Sequence, residues 1–156
     1  MDIEFRDANV ETGPGLALLD GMRAEIAQMY SGLDLEGDHM PKAGPAELSP
    51  PGGGFIVGWA GADAVCCGGF KRLEDGICEI KRMYVAPAVR GRGVARALLH
   101  ELERRARERG YRTARLDTGP AQGHARALYE SEGYASIGNF NANPVATFFG
   151  EKRLPD

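Results

Sequence analysis

The residues best suited to chemistry cluster around one turn. Tyr84, Val85 and Ala86 end an expected strand, and Pro87 stops it by removing a ladder donor. Val89-Arg90-Gly91-Arg92-Gly93-Val94-Ala95 follows and runs into a strongly patterned helix. Gly91 and Gly93 let the backbone approach a ligand closely. The first helical turn offers free N–H groups and the positive end of the helix dipole. Arg90 and Arg92 add charge. The chemistry this supports is the binding of a polyanion; the plainer alternative is a glycine-rich helix cap.

Two common phosphate binders do not fit. A Walker A loop needs Gly-x-x-x-x-Gly-Lys-Ser/Thr, which is missing. A dinucleotide fingerprint needs a small residue three positions after its second glycine. Arg96 holds that place after Gly91-Arg92-Gly93, and Leu18 holds it after Gly13-Pro14-Gly15. Nucleotide hydrolysis and dinucleotide redox chemistry are both disfavoured.

The strand leading to the turn carries Glu79, Lys81 and Arg82. Three charges in a central strand are hard to reconcile with a packed core and point to a wet cleft. Strict alternation sets Glu79, Lys81, Met83 and Val85 on one face and Cys78, Ile80, Arg82 and Tyr84 on the other. Glu79 is the candidate general base; the alternative is an ion pair with Lys81 or Arg82 and no catalytic role. Cys66, Cys67 and Cys78 lack a histidine partner in the pattern, so an acyl-cysteine route is not expected. His39 and His100 have no partners at metal-ligand spacing, and no metal is expected. His124 reads as a solvent-facing residue. Asp117-Thr118 closes a strand and is placed to shape the cleft, although a turn or helix-capping role is the simpler reading.

The positioning elements follow from hydrophobic period and turn residues. A first strand is expected at 3–8 and a helix at 14–30. A Pro- and Gly-rich loop at 31–54 has room for one short helix. A meander of strands follows at 55–60, 63–73 and 76–86. The strong helix at 92–109 carries a Val94, Leu98, Leu102 stripe and stops at Gly110. A strand at 112–118, a helix at 121–132 ending at Gly133, and strands at 134–138 and 145–153 complete the pattern. The fold class is α/β (α+β), with a mostly antiparallel sheet of about six to seven strands and about four helices. No second domain boundary is visible, so residues 1–156 read as a single domain.

Composition agrees. The chain has 156 residues, 43% hydrophobic and 26% charged, an ordinary globular profile. No apolar run approaches a membrane span of roughly 18 residues, and the acidic N-terminus is no signal peptide. Three cysteines without a CxxC fit a reducing cytoplasm. The net charge of −3 argues against general nucleic-acid binding. Its distribution is uneven: residues 1–50 carry three cations against ten acids, and residues 79–115 carry eleven cations against four acids. The basic middle suits cofactor phosphates, although Glu101–Arg105 and Glu103–Arg107 also suit i,i+4 pairs on a solvated helix.

Arg90-x-x-Gly93-x-Ala95, after a strand ending Met83-Tyr84-Val85, resembles the acetyl-CoA signature of the GNAT superfamily of N-acetyltransferases. Ala125-x-x-Leu128-Tyr129-Glu130-x-x-Gly133-Tyr134 is similar to that family's second motif. The two cover residues 76–138. The resemblance implies a GNAT-like fold and acetyl-CoA as cosubstrate, its pyrophosphate on the backbone of Arg90, Gly91, Arg92, Gly93, Val94 and Ala95. It implies that Met83, Tyr84 and Val85 pair with the pantetheine arm, with the Val85 N–H polarising the acetyl carbonyl. Tyr129 corresponds to the tyrosine near the CoA sulfur and would protonate the leaving thiolate. Gln122 stands where many members place an asparagine against the pantetheine.

By the same resemblance the acceptor site falls at residues 29–52 and 139–144, with Tyr30, Phe140, Asn141 and Asn143 as lining candidates. Asp34, Glu36, Asp38 and Glu47 make that mouth acidic, which suits a cationic amine. The expectation is acetyl transfer to a primary amine in a ternary complex. The acceptor is a small molecule or a peptide; no nucleic acid or membrane partner is expected, and a homodimer is compatible. The rivals are a non-catalytic acyl-CoA-binding or sensing module and a nucleic-acid binder using the basic helix.

Overall fold

Alternating apolar residues build the sheet, and 3.6-period stripes build the helices that cover it. The computed structural model describes residues 1–156. In chain order the elements are β1 (Glu4–Asp7), α1 (Gly13–Met29), β2 (Gly54–Ala60), β3 (Asp63–Glu74), β4 (Ile77–Val85), α2 (Val94–Glu108), β5 (Thr113–Thr118), α3 (Gly123–Ser131), β6 (Ala135–Ser136) and β7 (Phe148–Arg153). One seven-stranded sheet has the order β1-β2-β3-β4-β5-β7-β6. The β4–β5 pair is parallel and every other neighbour is antiparallel. There are three α-helices rather than about four. The loop between α1 and β2 holds turns, closed by contacts such as Met40 N–H to Gly37 O, and no short helix; its prolines and glycines cannot sustain one.

Helix α2 buries Leu98, Leu99, Leu102 and Ala106 against Ile56, Cys66, Cys78, Ile80 and Leu116 on one face of the sheet. Helix α1 covers the other face, where Leu18 and Leu19 meet Phe55, Val57 and Cys67. Cys66 and Cys67 therefore face opposite layers, as the pleat requires. Each buried leucine contributes about 1.5–3 kcal/mol from apolar surface removed from water. Glu132 holds α3 to α2 by accepting from Arg96 and His100.

Strand β4 departs from regular geometry in two ways. Its ladder with β5 covers only Ile77, Cys78 and Glu79, and beyond that the two strands part. Its ladder with β3 is bulged: Lys81 faces Gly69 and Tyr84 faces Cys67, so Arg82 and Met83 together oppose Gly68. Arg82 sits at φ 58, the left-handed region. The extra residue reverses the phase of the strand. Cys78 and Ile80 face α2 before the bulge; Met83 and Val85 face it afterwards, while Tyr84 turns to the α1 side. The strict alternation expected over Glu79–Val85 is thus corrected: Met83 and Val85 do not share a face with Glu79 and Lys81.

All three thiols lie in the core. Burial pushes Cys66 up to about 11 and Cys67 and Cys78 up to about 12. Ionisation would have to approach those values before a thiolate formed, so the native chain should resist iodoacetamide at pH 8. All three cysteines should be alkylated once urea unfolds it. Rapid labelling of the folded chain would contradict this packing.

Candidate functional site

The turn after β4 is built to receive an anion. Pro87–Val89 forms one turn of 3-10 helix, and Gly91 and Gly93 then take φ 78 and φ 79. Gly93 caps α2 without a side-chain bond. No backbone N–H from Gly91 to Arg96 donates to another group of the protein, and the first such bond is Ala97 N–H to Gly93 O at 3.1 Å. These donors converge at the positive end of a helix of 15 residues. A side chain at either glycine would strain the left-handed backbone that turns them inward. Val94 itself is buried in the core and anchors the turn.

Arg90 stands apart from these donors. Its own N–H closes the 3-10 turn on Pro87 O, and its guanidinium reaches Glu25 of α1 at 2.7 and 2.9 Å and Val85 O at 2.9 Å. It also stacks on Tyr84, 5.6 Å from the ring centre. Arg92 is exposed beside the turn and makes no internal bond. Other basic residues on and just after α2 are engaged: Arg105 with Glu101 and Asp7, and Arg109 with Pro51 O and Gly53 O. The Glu101–Arg105 pair forms as spaced. Glu103 instead accepts from Tyr134 and Lys152 across the layers.

Where β4 parts from β5 there is a cleft lined by Lys81, Arg82 and Met83 of β4 and by Asp117 and Thr118 of β5. Ala86 N–H donates to Val65 O at 2.8 Å, which makes Cys66–Val85 a non-bonded pair of the antiparallel ladder. The Val85 N–H therefore points away from β3, on the side where β4 has lost β5. Apolar walls come from Met22 and Ile26 of α1, from Leu33, Leu35 and Met40 of the long loop, and from Ile80 and Met83. Tyr129 closes one end. Burial, together with the Asp117 carboxylate, pushes its phenol well above the usual tyrosine value, so it stays protonated. Its hydroxyl lies 3.9 Å from Met83 Sδ. Tyr30 reaches across from the end of α1, donating to Gln122 Oε1 at 3.1 Å and accepting from the Ala121 N–H at 3.2 Å.

Charged groups form the cleft floor. Lys81 Nζ lies 3.2 Å from Glu79 Oε2, so the ion pair weighed for Glu79 forms with Lys81. Lys81 lines the cleft, and Glu79 is fully buried behind it rather than in the cleft wall. Asn141 Nδ2 donates to Glu79 Oε2 at 2.8 Å and to Asp117 Oδ2 at 2.7 Å, and Asn143 Nδ2 donates to the same Asp117 oxygen at 3.1 Å. Glu79 Oε1 has no donor in the protein. Asp117 lines the cleft, as does Arg82. Burial pulls the Arg82 guanidinium below the usual arginine value, partly offset by Glu36.

Of the residues singled out in the sequence, Lys81, Met83, Gln122, Tyr129, Tyr30 and Asn143 share the cleft. Glu79 and Asn141 lie just behind it. Phe140 does not belong to it: its ring packs edge-on against Phe149, centroids 5.9 Å apart, and under Arg115. The aromatic finds more apolar surface there than at a charged cleft. Sequence reasoning connected Arg82 and Asp117 with a cleft but gave neither a binding role. The run of charges around Lys81 was the signal for Arg82. For Asp117 only its place at a strand end was a signal, because its partners Asn141 and Asn143 lie on the distant turn before β7.

Residues 21–134 match the model of the acetyltransferase (GNAT) family. An IAA acetyltransferase from Azospirillum brasilense is 37% identical over 111 residues, spanning 69% of this chain and 72% of that protein. A Klebsiella pneumoniae protein, provisionally assigned as an acyl-CoA N-acyltransferase, superposes with a TM-score of 0.79 at 30% identity, covering 97% of both chains. The Thermoplasma acidophilum PaiA N-acetyltransferase, solved with coenzyme A, superposes with a TM-score of 0.69 at 16% identity over 98% of this chain and 99% of that one. The family match spans the anion turn and all of the cleft lining except Asn143, Val145 and Ala146, and the chain belongs to the GNAT family of acetyltransferases.

Proposed function

We propose that this protein transfers an acetyl group from acetyl-CoA to a primary amine by direct attack within a ternary complex. The observation that carries the reading is the row of unengaged backbone N–H groups from Gly91 to Arg96, which follows directly on the strand whose Lys81, Arg82 and Met83 line a cleft shared with Tyr129. Family membership and the coenzyme A bound to the Thermoplasma relative support a CoA-type cosubstrate. The pyrophosphate takes the backbone donors of Gly91, Arg92, Gly93, Val94 and Ala95. Arg92 adds a charge at the rim. Arg90 acts from the α1 side, holding the Val85 carbonyl. The pantetheine arm lies along Met83–Val85 where β5 has left, against Gln122.

The amine enters as an ammonium and must lose a proton before it attacks. Glu79 receives that proton through water, with Oε1 as the accepting atom. The nitrogen then bonds to the acetyl carbon while the Val85 N–H steadies the developing oxyanion. The thioester C–S bond breaks, the second nitrogen proton is released, and Tyr129 donates to the thiolate and is reprotonated in turn. The products are the N-acetylated amine, CoA thiol and one proton. No metal takes part.

CoA thiol release should depend on added amine, which separates a transferase from a sensing module that binds acetyl-CoA without turnover. Glu79→Gln should lower kcat by about 10²–10⁴ while the acetyl-CoA Kd from calorimetry moves far less. Wild-type kcat across the pH range would remove Glu79 from the proton path. Tyr129→Phe should slow thiol release by about 10²-fold with an unchanged circular dichroism spectrum; unaltered kinetics would remove the acid role.

A further inference from the structure

Arg82 is placed like a ligand-binding residue that lacks its ligand. Its side chain is only 7% exposed and lines the cleft. None of its five N–H donors makes a hydrogen bond within the protein, and its nearest carboxylate oxygen, on Glu36, lies 3.7 Å away. That carboxylate is itself held by Nε and Nη2 of Arg23. By contrast, the neighbouring Lys81 has Glu79. Burying a guanidinium without matched acceptors is costly, and the left-handed backbone at Arg82 adds strain. Both costs are met where an incoming anion completes the site.

The surroundings narrow the anion. Arg82 presents a planar fork that matches one carboxylate bidentately. Asp117, in the same cleft, suits a cation, and Glu36 and Glu79 nearby disfavour a doubly charged phosphate. Met22, Ile26, Leu33, Leu35 and Met40 supply apolar wall on the α1 side. Resting on the transferase reading above, we infer that the acceptor is an α-amino acid with a free carboxylate and an apolar side chain. Its carboxylate docks on Arg82, and its ammonium faces Asp117 before attack. The carboxamide of the same amino acid, and a peptide N-terminus, lack the charge that Arg82 requires.

The test uses matched probes: L-leucine, L-methionine and L-phenylalanine against their carboxamides. Thiol release is followed with acetyl-CoA, and binding to the CoA-loaded protein is followed by calorimetry. The free acids should be preferred in kcat/KM by about 100-fold, and Arg82→Gln should collapse that preference toward one. Equal or better use of the carboxamides by the wild-type protein would overturn the assignment, and this arm needs no variant to fold. So would a preference that survives in Arg82→Gln. If no amine releases thiol, the transferase reading fails by itself, and the calorimetric preference for acid over carboxamide still decides the role of Arg82.

Discussion

The structure turns on how briefly β4 stays paired with β5. A parallel ladder that ran the full strand would seal the sheet and leave no site. Pairing stops after Glu79, and the bulge at Arg82 and Met83 bends the strand away. The same bulge puts Met83 and Val85 over α2 and leaves Lys81 and Arg82 at the cleft floor. It also turns the free edge of Val85 toward the opening. The strand ends at Val85, and the 3-10 turn begun by Pro87 delivers the chain to the anion turn. One interrupted ladder thus leads from an open cleft to a turn of free backbone donors.

An opened sheet exposes polar groups that the rest of the fold must satisfy. Lys81, Glu79, Asn141, Asp117 and Asn143 form a connected set across β4, β5 and the turn before β7. Removing one member leaves a buried charge or amide unmatched, which is costly in a low dielectric. The set therefore fixes the far wall of the cleft as firmly as packing fixes the near one. Three groups keep unmatched capacity: Glu79 Oε1 and Thr118 Oγ1, without partners, and the Arg82 guanidinium, without a matched acceptor. Proton transfer at Glu79 Oε1 and carboxylate recognition at Arg82 would use the first and last of these.

Local features of the sequence were readily legible. The Val94, Leu98, Leu102 stripe marked α2, and Gly110 and Gly133 end their helices at φ 96 and φ 95 as expected for left-handed stops. The glycines of the anion turn announced their own geometry. Features that depend on distant residues were not legible. No glycine marks the bulge, because Arg82 itself adopts the left-handed backbone, so periodicity alone placed Met83 and Val85 on the wrong face. Arg90 reaches Glu25 over 65 residues of chain, and Asn141 bridges Glu79 and Asp117 across separations of 62 and 24. Phe140 read as a pocket residue because its turn approaches the site, yet its ring packs on Phe149.

The most direct test of the central claim is amide hydrogen exchange of the full chain with and without acetyl-CoA. Slowed exchange at Gly91–Arg96 and at Val85, with little change on the outer face of α2, is the expected result. Protection absent from those amides while the ligand binds elsewhere would contradict the placement of the thioester between β4 and β5.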